Sequence, residues 1–312
     1  MRSYACPHGD QLVFFDDLAC VGCGTELAYV PTADEVVAAA GRPTCANRAA
    51  IGCSFTADDD GELCVSCQLT TRRPPAADPV ASAHWAAAEG AKRHLFVQCL
   101  ALGWDIDGAR FRFESATHGP VTTGHLDGVI TVDVDEVNDV TRAQERTRLG
   151  EQYRTMLGHL RHEYGHYLWW RVVGDGPLLD GFRDAFGDER TDYADALAEH
   201  HAAGPPTAWS DNHVSEYAAS HPWEDFAETV AHYLHITDTL HTAAAFGLDV
   251  GGERPPGRPS WRTIPELMSA WHPVALALNA LNRSMGHPPA YPFAPAPAVI
   301  DKLAWVHALP RG

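Results

Sequence analysis

The sequence predicts an α+β protein in three parts: a small metal-held module over residues 1–70, a linker over 71–82, and a mainly helical domain with a short sheet over 83–312. Three features of the chain predict this. Seven of the eight cysteines fall within the first 67 residues. Three prolines then fall between Thr70 and Pro79, where they fix φ and remove backbone donors. Beyond them, long helical periodicities enclose two short alternating stretches.

Residues 1–70 are broken by Gly, Pro and Asp and show little helical periodicity. Cys20-Val21-Gly22-Cys23 and Cys64-Val65-Ser66-Cys67 are Cys-x-x-Cys pairs. That spacing lets two thiolates face one tetrahedral ion while backbone amides of the turn bond to the sulfurs. Cys45 and Cys53 complete a four-thiolate structural zinc site with Cys64 and Cys67. The first pair has Cys6 in reserve, and its fourth ligand has to be His8 or Asp10, because Gly9 stands where a matching pair would place its second thiol. Free or redox-active thiols are the alternative, but neither pair sits in a strand–helix context suited to disulfide exchange. Cys99, alone in an apolar stretch, reads as a small buried hydrophobe.

After the linker, Ala83 to Leu102 is rich in Ala and stops at Gly103, a helix with its terminator. Phe111–Ser115 and Gly128–Asp135 alternate as strands. A helical pattern runs from about Val140 to Val173, weakened by Gly150 and Gly158, and ends at Gly174-Asp175-Gly176-Pro177. Further helices are predicted from Pro222 to about Leu240, Ile264 to Leu281 and Ala298 to Leu309, the last two separated by a Pro-rich loop. No internal repeat is present.

The formal charge is −18, from 23 Lys plus Arg against 41 Asp plus Glu. Such a chain repels a phosphate backbone, which argues against nucleic-acid binding. No apolar run is long enough to cross a bilayer. The start, Met1-Arg2-Ser3-Tyr4-Ala5-Cys6, lacks the pattern of a secretory signal, so a cytoplasmic protein is expected. In that reducing compartment clustered cysteines bind metal more readily than they form disulfides.

His162-Glu163-Tyr164-Gly165-His166 is a His-Glu-x-x-His motif inside a helical pattern. Residues four apart on a helix differ by about 40° in direction, so both imidazoles face one point. Glu163 is offset enough to stay off the metal yet reach the attacking water as a general base. Gly165 removes a side chain beside the metal and permits close packing of another element. The competing reading is two surface histidines on a solvated helix. A catalytic zinc needs a third protein ligand and an open position. Glu224 and Glu228 lie one turn apart on the helix after His221-Pro222, flanked by Trp223, Phe226 and Ala227. Glu224 is favoured as ligand with Glu228 bonding a ligand histidine; the reverse assignment, and Asp225, stay open. His159, Asp188 and Glu189 could support the site or serve as an ordinary helix histidine and a loop turn. His213, His221, His232 and His235 read as structural or exposed. Arg283 could bind a substrate carboxylate or pair within the C-terminal helices.

Tyr217 lies seven residues before Glu224, which is followed by Asp225-Phe226-Ala227-Glu228. This arrangement resembles a gluzincin-type peptidase domain, and the resemblance implies that Tyr217 faces the metal and stabilises the oxyanion; a structural tyrosine is the alternative. More widely, the chain resembles the bacterial family of zinc-binding metallopeptidases that carry an N-terminal zinc ribbon. Cys20-Val21-Gly22-Cys23-Gly24, Thr123-Gly124-His125-Leu126-Asp127-Gly128, Tyr153-Arg154-Thr155, Leu157-Gly158-His159-Leu160-Arg161-His162-Glu163, Phe186-Gly187-Asp188-Glu189, His221-Pro222-Trp223-Glu224-Asp225 and Leu281-Asn282-Arg283-Ser284-Met285-Gly286 carry it. The resemblance implies a zinc ribbon followed by a zincin-like peptidase domain, one catalytic and one or two structural zinc ions, and a peptide or protein substrate. Gly9 departs from the ribbon pattern. The alternative function is a catalytically silent zincin-fold scaffold stabilised by structural zinc.

Overall fold

The computed structural model describes residues 3–137, 155–248, 250, 263–291 and 294–310. The chain divides into two compact units, Met1–Thr141 and Arg142–Arg311.

The first unit opens with two antiparallel hairpins, β1 (Ser3–Ala5) with β2 (Leu12–Phe14) and β3 (Leu27–Val30) with β4 (Glu35–Ala38). Two single-turn helices follow, α1 (Arg48–Ile51) and α2 (Val65–Gln68), then β5 (Thr70–Arg72) and the long α3 (Pro79–Leu102). β6 (Arg110–Glu114), β7 (Gly124–Leu126) and β8 (Val129–Asp133) complete a four-stranded sheet in the order β5-β6-β8-β7. β6 is parallel to both β5 and β8, and β7 is antiparallel to β8. Alternation fixes its faces: Phe111, Phe113, Ile130 and Val132 are buried, and Arg110 and Asp133 point elsewhere.

The proline-rich segment is shorter as a connector than its composition suggests. Thr70–Arg72 pair in the sheet before the first proline. Asp78 then accepts from the amides of Val80 and Ala81, so α3 starts at Pro79 rather than Ala83. Proline at a first helical turn costs nothing, since its missing N–H has no helical partner there. Gly103, in the left-handed conformation at φ 69°, ends the helix where the sequence placed its stop.

Under the sheet lies a fully buried ion pair, Lys92 Nζ to Glu89 at 2.9 Å. Thr70 donates to Glu89 at 2.6 Å, Trp85 donates to it at 3.2 Å, and Lys92 faces the rings of Phe111 and Phe113. These added partners offset the desolvation that burying two charges costs.

The second unit contains α4 (Met156–Leu168), α5 (Leu179–Phe186), α6 (Tyr193–Ala203), α7 (Pro222–Ala245), α8 (Ile264–Ser284) and α9 (Pro297–His307). Thr155 caps α4 by accepting from the Gly158 amide, and a π-helical turn, Trp169–Val173, carries the helix to Gly174. The expected helical stretch from Val140 to Arg154 lies outside the described residues. α5 and α6 were not foreseen. Trp169, Phe182, Phe186, Phe226 and Trp305 make edge-to-face contacts that join the π-helical turn after α4 to α5, α7 and α9. A buried ion pair, Asp225 Oδ2 to Lys302 Nζ at 2.5 Å, ties α7 to α9. No helix among the described residues is long and apolar enough to cross a membrane.

Candidate functional site

α4 and α7 pack face to face at a point where no side chain intervenes. A Cβ built on Gly165 would lie 2.7 Å from the Cα of Ala227. This close approach brings the motif histidines of α4 against the acidic face of α7.

The Nε2 atoms of His162 and His166 are 3.1 Å apart, and Glu224 Oε2 lies 3.1 Å from the first and 3.4 Å from the second. Three ligands of a tetrahedral zinc, each at about 2.0–2.1 Å, sit about 3.3 Å from one another. Glu224 is 1% exposed, and its Oε2 is buried without a hydrogen-bond partner among the described residues. Its other oxygen, Oε1, accepts from the Tyr193 hydroxyl at 2.7 Å. A buried carboxylate oxygen aimed at two imidazole nitrogens, satisfied by neither, is what a single cation would satisfy. Two imidazoles and one carboxylate form a donor set suited to zinc, so these residues fit the ion.

Glu228 supports the site from one turn further along α7. Its Oε1 lies 2.7 Å from His162 Nδ1, and its Oε2 accepts from Ser215 Oγ at 2.7 Å. A carboxylate on Nδ1 fixes that nitrogen as the protonated one and leaves Nε2 as the metal donor. Burial pushes the His162 imidazole down, but Glu224 and Glu228 outweigh it and hold it well above the ordinary range. The ring's surroundings therefore demand positive charge, and cation binding here competes with a proton. Burial likewise pushes the Glu224 carboxyl up, and the charges of His166 and His162 overcome it and hold it well below its usual range.

Glu163 is 5% exposed. One of its oxygens lies 3.3 Å from His159 Nε2, and the other is buried without a hydrogen-bond partner among the described residues. Burial raises its carboxyl, but the bond to His159 and the charges of His162 and His166 bring it below the ordinary value. It is thus held as a carboxylate, the form a base requires. Tyr217, half-buried in a short 3₁₀ turn, has its ring centroid 6.0 Å from that of His162 and 6.4 Å from that of His200.

The remaining candidates have other partners. Asp225 pairs with Lys302 and lies 3.2 Å from His213. His221 caps α7 by accepting from the Trp223 amide and donates to the Thr191 carbonyl at 3.1 Å. His232 bonds the Tyr291 hydroxyl, and His235 stacks on the Tyr291 ring. Asp188 closes a loop turn with Arg190, and Glu189 binds Arg183. Arg283 is exposed in the last turn of α8.

Tyr193 and Ser215 were missed by sequence reasoning. Burial and the nearby Glu224 charge push the Tyr193 phenol up, so it stays a donor to Glu224. Removing that donor with Tyr193→Phe is expected to weaken zinc binding by about tenfold or more, the usual cost of losing such a supporting partner. A zinc-competition titration checks it; unchanged affinity would remove Tyr193 from the site.

In the first unit, Cys45, Cys53, Cys64 and Cys67 converge, all buried. Cys53 Sγ lies 3.7 Å from Cys64 Sγ and 3.8 Å from Cys67 Sγ. That matches the spacing of about 3.8 Å between thiolates on one tetrahedral zinc with bonds near 2.3 Å, and is far from the S–S bond length of about 2.05 Å. The Cys64 amide donates to Cys45 Sγ and the Cys67 amide to Cys64 Sγ. Cys6, Cys20 and Cys23 form a second group, which His8 does not join: His8 Nδ1 bonds Thr25 Oγ1 at 3.1 Å. Cys99 is buried in α3.

Residues 81–309 match a family described as "Putative zinc-binding metallo-peptidase", and residues 3–78 match a zinc-ribbon domain. The first of these begins inside α3, so the four-stranded sheet falls largely within it while packing in the first compact unit. Proteins of Mycobacterium tuberculosis and Mycobacterium bovis, each described as uncharacterized, are 41% identical over 330 residues, covering 99% of this chain and 95% of theirs. No solved structure matches the chain.

Proposed function

This chain belongs to that zinc-binding metallopeptidase family, and from that membership we propose that it hydrolyses peptide bonds with zinc held by His162, His166 and Glu224. The observation that carries the reading is Glu163: a buried carboxylate on the motif helix with one oxygen unbonded among the described residues. A purely structural zinc has no use for such a group. When bound, zinc supplies Lewis acidity, polarising a carbonyl and making water acidic near neutral pH.

The chain's own residues do the rest. Glu163 takes a proton from the attacking water and delivers it to the departing amine nitrogen. His159 orients the Glu163 carboxylate through its other oxygen. Glu228, braced by Ser215, holds His162 in the tautomer that offers Nε2. Tyr217, placed beside the His162 ring, donates to the oxyanion that develops on the scissile carbonyl. The substrate is a peptide or protein, and the acidic chain, with a formal charge of −18, disfavours nucleic acid. The compartment we propose is the cytoplasm.

Incubating the zinc-loaded chain with a peptide library from a cell extract should generate new termini detectable by mass spectrometry. They should vanish on chelation and return with added zinc. Zinc-loaded chain that yields no new termini would favour the scaffold reading.

A further inference from the structure

The two cysteine groups of the first unit differ in a way that bears on what each does. The Cys45 group is complete: four thiolates, all buried, with neighbouring sulfurs 3.7 and 3.8 Å apart. The Cys6 group has three, with Cys6 and Cys23 sulfurs 3.6 Å apart, a spacing that suits a shared ion. Among the described residues no fourth Cys, His, Asp or Glu joins them.

The turn in which the first knuckle's second ligand would lie faces solvent. Cys6 and Cys20 are buried, whereas Cys23 is exposed. His8 and Gly9, in the turn after Cys6, are exposed as well. A Cβ built on Gly9 meets nothing within 4 Å, so no neighbouring atom occupies the place where a second knuckle cysteine would project. His8 is turned to Thr25 Oγ1, which itself lies 3.1 Å from Cys23 Sγ. Thr25 thus links the imidazole to Cys23, and His8 supplies no atom to the converging group.

We propose that Cys6, Cys20 and Cys23 hold a zinc ion by three thiolates, with an open fourth position facing solvent that takes an external thiol. A thiol is the ligand class that recreates the four-sulfur set of the neighbouring site. Such a zinc has one protein ligand fewer than its neighbour and one face open to competitors. It exchanges faster.

The test uses the full chain loaded with zinc, a chromogenic chelator to follow release, and cobalt(II) substitution to follow thiolate charge-transfer absorption. Glu224→Ala identifies the release phase of the peptidase site. The wild type should show a fast phase that persists in Glu224→Ala. Gly9→Cys should slow that phase by at least about tenfold, since even supporting partners change metal affinity by about 10–100-fold. His8→Ala should leave it unchanged. Added 2-mercaptoethanol should strengthen the cobalt absorption of the wild type and leave Gly9→Cys unaltered. Gly9 and His8 lie in an exposed turn, so both variants should fold. The proposal is overturned if His8→Ala accelerates release, because His8 then fills the vertex. Equal release from wild type and Gly9→Cys, or no response to the thiol, overturns it equally.

Discussion

Glu163→Gln is expected to leave zinc content unchanged and to lower turnover by about 10²–10⁴-fold, the usual contribution of a positioned general base. The two halves of this expectation rest on different atoms. The donor atoms that converge are His162 Nε2, His166 Nε2 and Glu224 Oε2, and Glu163 supplies none of them. Its replacement therefore removes no ligand. Glutamine has the same shape and can still accept from His159, so the helix and the support around it stay in place. It has no basic oxygen, however, and cannot carry a proton from water to the leaving amine. Metal analysis together with steady-state kinetics on any peptide found to be cleaved separates the two effects. Full activity in this variant would show that the proton goes elsewhere and that the buried carboxylate has a packing role.

How much of this site was legible in the sequence depended on distance along the chain. His162, Glu163 and His166 lie within five residues of one helix, and helical geometry alone places them. Glu224 and Glu228 are one turn apart, so their division into metal ligand and support is a matter of which turn faces α4. The paired Cys-x-x-Cys segments are local in the same way. Tyr193 is not: it meets Glu224 across 31 residues, and nothing in its own neighbourhood marks it. Ser215 is likewise placed by a loop rather than by a repeat.

The two unforeseen helices have weak signals for stated reasons. α5 has only 8 residues; Phe182 and Phe186 do share its buried face, but two turns interrupted by Gly181 are a short stretch in which to read that pattern. α6 has no buried residue, so it carries no apolar stripe. β5 was hidden by the prolines that follow it, because composition averaged over ten residues does not show that the first three are extended and paired. His8 was a reasonable fourth ligand by spacing, yet the turn directs it to Thr25.

Gly165→Ala is expected to destabilise the second unit and weaken its zinc site together. Its Cβ would meet Ala227 backbone at 2.7 Å from Cα, 3.0 Å from the carbonyl oxygen and 3.3 Å from the carbonyl carbon. Backbone inside a helix cannot step aside as a side-chain tip can, so α4 and α7 must separate. Overpacking of this kind costs about 1–3 kcal/mol or more. Separation also moves the His162 and His166 nitrogens away from Glu224 and Glu228, so zinc affinity should fall with stability. Gly90→Ala in α3 is the matched control, since its Cβ meets only the end of the Arg93 side chain at 3.8 Å. There the same substitution should stabilise by about 0.5–1 kcal/mol through helix propensity alone. Urea unfolding midpoints and zinc titrations on both variants decide the matter. If Gly165→Ala unfolds at the wild-type midpoint and binds zinc equally well, the two helices do not approach as closely as their shared metal ligands require.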